Sequence, residues 1–147
     1  MVVTPPSFPA QCVVDASVLV KSVLPEADSA LARALLATRA LDARNVPDLV
    51  FAECANVLAT AFRRARVPEA IARARVADLL ALSVTVHPTT PLLTTALGLA
   101  VTRNISVYEA VYVTLAGSLG VPLITADIAL AQRATGDTHL LGEYAPP

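Results

Sequence analysis

Short apolar runs and stretches of helical periodicity alternate along this chain. Residues 11–14, QCVV, form a β-branched run that ends at Asp15, and ASVLVKSVL behind it repeats apolar positions at helical spacing until Pro25. Residues 28–41, DSALARALLATRAL, place Leu31, Leu35 and Leu36 on one helical face behind an acid and a serine. Pro47-Asp48 predicts the start of a long helix to about Arg66 with Asp48 as N-cap, and Pro68-Glu69 opens another to about Leu82. A strand around Val84 and Val86 ends at Pro88, and an apolar helix follows over residues 90–102. A second apolar helix, 106–118, stops at Gly120 and feeds the compact strand VPLIT, residues 121–125. A short helix over 128–134 and a strand over 138–141 complete the pattern. Continuous apolar strands separated by helices predict an α/β fold with a mostly parallel sheet covered on both faces.

The composition sharpens this picture. Of 147 residues, 55% are hydrophobic and 16% charged, where about 25% charged is usual. Such a surplus of apolar surface points to a partner or a second copy of the chain. The expected organisation is a disordered leader, residues 1–10, carrying Pro5, Pro6 and Pro9, then a single domain over 11–147. That leader lacks the charge and apolar core of a signal peptide. Residues 79–102 hold no Asp, Glu, Lys or Arg, but His87, Pro88 and Pro91 break them into pieces too short to span a membrane. The chain is expected to be cytoplasmic, with Cys12 and Cys54 as reduced, buried side chains. Two Cys and two His without local ligand spacing do not make a zinc site. A net charge of -1 excludes a general basic field for nucleic acid, so any such contact must be local.

Four acids occupy chemically suggestive places. Asp15 and Asp127 each follow a predicted strand, where parallel sheets collect ligands, and each could equally cap the next helix. Glu53 shares a polar stripe with Asn56, Thr60 and Arg64, spread over about 60° of an otherwise apolar helix. It could also serve only to complement the helix N-terminus. Glu109 is the one charged residue between Arg103 and Asp127, and Ser106 three residues before it forms a capping-box pattern. His87 and His139 read as structural histidines.

VVDASVLVKSVL, PDLVFAECANVLATAFRR and ISVYEAVYVTLAGSLGVPLITAD, in that order, closely resemble PIN-domain ribonucleases, in particular the VapC-type toxins of bacterial toxin–antitoxin pairs. The likeness runs from about Val13 to Leu130 and lies in the ordered set, not in any one short motif. It implies a three-layer α/β/α sandwich around a mostly parallel sheet of about five strands. It further implies a metal-dependent endoribonuclease in which Asp15, Glu53, Glu109 and Asp127 are the catalytic, metal-binding acids for Mg²⁺ or Mn²⁺. Ser17, Asn56 and Thr125 match supporting polar positions, and Ser106 supports Glu109 through its cap. The third acid is usually Asp in this family, and Glu at 109 moves the carboxylate oxygens by up to about 1.5 Å. Carboxylates held about 4 Å apart repel by several kcal/mol at an effective dielectric near 20, so a convergent cluster calls for a cation.

Cleavage of RNA by in-line attack would leave a 3'-hydroxyl and a 5'-phosphate, with Arg63, Arg64 and Arg66 as local phosphate contacts and Lys21 and Arg103 as weaker ones. The resemblance also implies a homodimer and a cognate VapB-like antitoxin that covers the active site. The Ala- and Leu-rich helices over 28–41 and 50–82 offer a groove for an amphipathic helix. Two other readings stand beside the toxin: a PIN-like interaction module with impaired catalysis, and a hydrolase of small phosphate esters.

Overall fold

A computed structural model describes residues 5–134 and 136–145. Its centre is a parallel sheet of five strands: β1 (Cys12–Val14), β2 (Arg44–Pro47), β3 (Thr85–His87), β4 (Leu123–Thr125) and β5 (Thr138–Leu140), in the order β3-β2-β1-β4-β5. The chain winds outward from β1 to one edge, then crosses back to β4 and β5. The direction reverses beside β1, which makes the carboxyl ends of β1 and β4 the crevice of a doubly wound sheet.

Among the described residues, seven α-helices cover the sheet: α1 (Ala16–Val23), α2 (Ser29–Leu36), α3 (Val50–Arg63), α4 (Glu69–Leu80), α5 (Leu93–Arg103), α6 (Val107–Leu119) and α7 (Ile128–Arg133). Helices α1 to α4 pack on one another, and α5 packs on α6, which lies against β1, β2 and β4. With the right-handed crossovers that parallel strands almost always adopt, the two groups fall on opposite faces, completing the three-layer sandwich. Burial from both sides explains the unbroken apolar strands: Cys12, Val13, Val14, Leu123 and Ile124 are fully buried.

Strand β2 is absent from the hydrophobic pattern because its residues are Arg-Asn-Val-Pro. Specific partners satisfy these polar groups. Arg44 donates from Nε to the Leu35 carbonyl at 2.7 Å and from Nη1 to the carbonyls of Pro9, Ala10 and Ala43. Asn45 Nδ2 donates to the carbonyls of Cys12 and Asp42, and Asn45 Oδ1 pairs with His87 Nε2 at 2.9 Å. The expected cap at Asp48 is corrected: Leu49 is the N-cap of α3. Asp48 Oδ1 instead accepts from the Thr89 amide and hydroxyl, tying the β2–α3 turn to the segment after β3. The helix expected over 28–41 stops at Leu36.

The expected leader, residues 1–10, divides in two. Residues 1–4 lie outside the described residues, whereas 5–10 are held by contacts the sequence pattern did not announce. Phe8 packs on the core and against Tyr144, with ring centroids 5.6 Å apart, Pro6 accepts from the Ala145 amide, and Arg44 binds Pro9 and Ala10. Cys12 and Cys54 are free and buried, as expected; burial pushes their thiols up to about 11 and about 12. Among the described residues, no helix is long and apolar enough to cross a membrane. Arg44→Met keeps the aliphatic stem but removes the guanidinium donor from the carbonyls of Leu35, Pro9, Ala10 and Ala43, of which Ala43 keeps the Cys12 amide. A loss of about 2 kcal/mol or more in urea denaturation is expected, with faster proteolysis before Cys12.

Candidate active site

Asp15 ends β1 and is only 7% exposed. It occupies the N-cap position of α1, yet its side chain caps no amide. Its Oδ2 instead accepts from the Ser17 hydroxyl at 2.5 Å and the Thr125 hydroxyl at 2.9 Å. Thr125 ends β4, the neighbouring strand, so the bond spans the switch point. The two hydroxyls are themselves fixed: Ser17 Oγ accepts from the Ala126 amide and Thr125 Oγ1 from the Asp127 amide, both at 3.0 Å. Burial raises the Asp15 carboxyl above its ordinary value, and the two hydroxyls, together with the backbone amides of Ser17 and Ala16, pull the other way without cancelling it.

Glu53 lies in the first turn of α3, half-buried, and its Oε2 accepts the Tyr112 hydroxyl. Its carboxyl is also raised. Burial is the main cause, the Tyr112 bond opposes it, and the charges of Asp15 and Glu109 add to it. Glu53 on α3 therefore lies within electrostatic reach of Asp15 after β1 and of Glu109 on α6.

Glu109 and Asp127 carry caps as well. Ser106 is the N-cap of α6 in a full capping box: its hydroxyl accepts from the Glu109 amide at 3.1 Å, and Glu109 Oε2 accepts from the Ser106 amide at 2.7 Å. Asp127 Oδ1 caps α7 by accepting from the Leu130 amide at 3.1 Å. Helix capping therefore explains part of these two placements and none of the side-chain bonding of Asp15.

Among the described residues, none of the four acids forms an ion pair. Nor do three metal-binding side chains there converge closely enough to enclose an ion. The donor set is nevertheless all carboxylate and hydroxyl oxygen, which is the chemistry suited to Mg²⁺ or Mn²⁺. Asn56 is exposed on α3 and hydrogen-bonds to none of the acids. Arg63, Arg64 and Arg66 are all exposed at the far end of α3, and Arg63 donates to Thr60 Oγ1 at 3.0 Å. Arg64 and Arg66 line a cleft with Glu26, Val57 and Thr60. Ten residues separate Glu53 from Arg63, about 15 Å along a helix, so these cations stand well away from the acids.

Of the two histidines, His87 pairs with Asn45, while His139 lies between Asp137 and Glu143, remote in sequence from the acids. The residue missed by sequence reasoning is Tyr112. Its signal was present: an aromatic one helical turn after Glu109, on the same face of a helix otherwise rich in small and aliphatic residues.

Unpaired carboxylates at the switch point of a doubly wound parallel sheet place this protein among α/β domains that offer hard oxygen donors to a ligand. A PIN domain family model matches residues 12–136, and the chain belongs to the PIN domain family, on its VapC-type branch. It is 33% identical over 121 residues to Ribonuclease VapC1 of Mycobacterium tuberculosis, in strain CDC 1551 / Oshkosh and in strain ATCC 25618 / H37Rv, covering 82% of this chain and 89% of the relative. Among solved structures, it is similar to PAE2754 from Pyrobaculum aerophilum, with a TM-score of 0.72 and 26% identity over 92% of this chain and 87% of that one. VapC20 (Rv2549c) of Mycobacterium tuberculosis, a sarcin–ricin-loop-cleaving toxin, shares the fold, with a TM-score of 0.64 and 19% identity over 86% and 98% of the two chains.

Because the folded-state pKa values of Asp15 and Glu53 lie above their unfolded values, metal-free protein favours protonation in the folded state. The contribution of these two groups to stability is then fully present below the unfolded carboxylate pKa and is lost as pH rises through the folded values. Asp15→Asn removes the buried charge. At neutral pH without divalent cations it is expected to raise Tm by roughly 2–4 °C, about 1 kcal/mol, with the gain shrinking as pH is lowered. Calorimetry across pH checks this; an equal or lower Tm at every pH would contradict it.

Proposed function

We propose that the protein is a metal-dependent endoribonuclease, the toxin of a toxin–antitoxin pair, acting in the cytoplasm. The observation that carries the reading is the buried, unpaired Asp15 beside Glu53 and Glu109 at the switch point of a PIN fold. Asp15 and Glu53 would hold a Mg²⁺ or Mn²⁺ ion, with Glu109 and Asp127 at its rim directly or through water. The cation supplies neutralisation of charge on the phosphoryl oxygens and a more acidic water. The chain itself supplies position: Ser17 and Thr125 fix the rotamer of Asp15, while the capping box fixes that of Glu109. Arg64 and Arg66 bind backbone phosphates some distance from the scissile one, since about 15 Å of helix spans two or more nucleotides.

Two apolar surfaces support the proposed partners. Between α3 and α4, Leu58, Ala59, Phe62, Ala72 and Val76 line a groove suited to an amphipathic segment of a VapB-like antitoxin. On α5, Leu93, Leu97 and Val101 form an exposed stripe, the last two 56% and 78% exposed, suited to a homodimer.

The test is RNA cleavage with Mg²⁺, Mn²⁺ or chelator. Wild type should cut RNA only with a divalent cation, and Asp15→Asn should lower the rate by about 10²-fold or more. Glu109→Gln should lower it strongly and Glu109→Asp retain or raise it. RNA cleavage that persists in chelator and in Asp15→Asn alike would overturn the reading. Turnover of a small phosphate ester in preference to RNA would favour the hydrolase alternative.

A further inference from the structure

The hydroxyl of Tyr112 is a polar group in a dry place. The residue is 1% exposed, it sits in the hydrophobic core cluster, and its hydrogen bond goes to Glu53 Oε2. A buried tyrosine hydroxyl usually finds a hydrogen-bond partner. Here the partner is a carboxylate on another helix, half-buried and repelled by two neighbouring acids.

We infer that Tyr112 is the positioning residue for Glu53, holding that carboxylate in the site against the repulsion of Asp15 and Glu109. The inference rests on the proposed metal-centre reading. Glutamate has three side-chain torsions, and in an acid cluster without a counter-ion electrostatics favour rotamers that turn outward to water. A charge-assisted O–H···O⁻ bond from a side chain locked in the core opposes that escape. The bond engages Oε2 and leaves Oε1 for a ligand, so Glu53 is prepared as a one-oxygen donor. Because the tyrosine lies one turn beyond Glu109, a single turn of α6 both contributes an acid and holds in place the acid of α3.

Tyr112→Phe keeps the ring and its packing and removes only the hydroxyl. Mn²⁺ binding is measured from the EPR signal of the free ion in both proteins, together with the Mn²⁺ dependence of RNA cleavage and cooperative thermal unfolding as a check on folding. The variant should bind Mn²⁺ about 10- to 100-fold more weakly, and its half-maximal Mn²⁺ for cleavage should rise by the same factor. Its rate at saturating Mn²⁺ should change by less than about threefold. Equal Mn²⁺ affinity in the two proteins, with at most a change in Tm, would make Tyr112 a core residue only and overturn the inference. If wild type binds no Mn²⁺, the metal-centre reading itself fails, an outcome visible before the variant is compared.

Discussion

A carboxylate buried at the end of the central strand, bonded to two hydroxyls and facing no cation, is costly to keep in a folded protein. Asp15 is held there by the features that make the fold: β1 is covered on both faces, β4 brings Thr125 alongside, and the first turn of α1 brings Ser17. Each hydroxyl is oriented in turn by a backbone amide in the turn after β4. The surrounding core therefore carries the cost of this group, which a proton lowers and a bound cation would lower as well.

The other acids reach this point by different means. Glu53 depends on a tyrosine from the opposite helix layer, and Glu109 on the serine that starts its own helix. The capping box also gives a physical reason for the departure from the family's usual aspartate. A glutamate at the third helical position is long enough to return to the N-cap amide, and a capping box calls for Glu or Gln there. The extra methylene thus serves α6, at the expense of an oxygen now shared between cap and site.

Much of this was legible in the chain because it rests on local chemistry. Ser106, Glu109 and Gly120 mark the ends of α6 by cap and left-handed C-terminus, and the LIT of β4 is an apolar run that only a doubly covered strand tolerates. What escaped depends on pairing between distant segments. Strand β2 carries Arg44 and Asn45, whose polarity makes sense only beside the carbonyls of Pro9, Ala10 and Leu35 and the ring of His87. The bond of Tyr112 to Glu53 joins residues 59 apart, and no local pattern encodes it. Asp48 had the composition of a cap, but the Thr89 amide and hydroxyl compete for it from the segment after the neighbouring strand β3. The caps made by Glu109 and Asp127 were visible in the sequence, whereas the burial of Asp15 and the tether of Glu53 were not.

The central claim is that Asp15 and Glu53 together await a divalent cation. Anomalous diffraction from crystals grown or soaked with Mn²⁺ tests it most directly. The account predicts a Mn²⁺ peak bound by Asp15 and one oxygen of Glu53, with Glu109 and Asp127 close by directly or through water. A peak bound elsewhere, or none at Mn²⁺ concentrations that saturate cleavage, would contradict it.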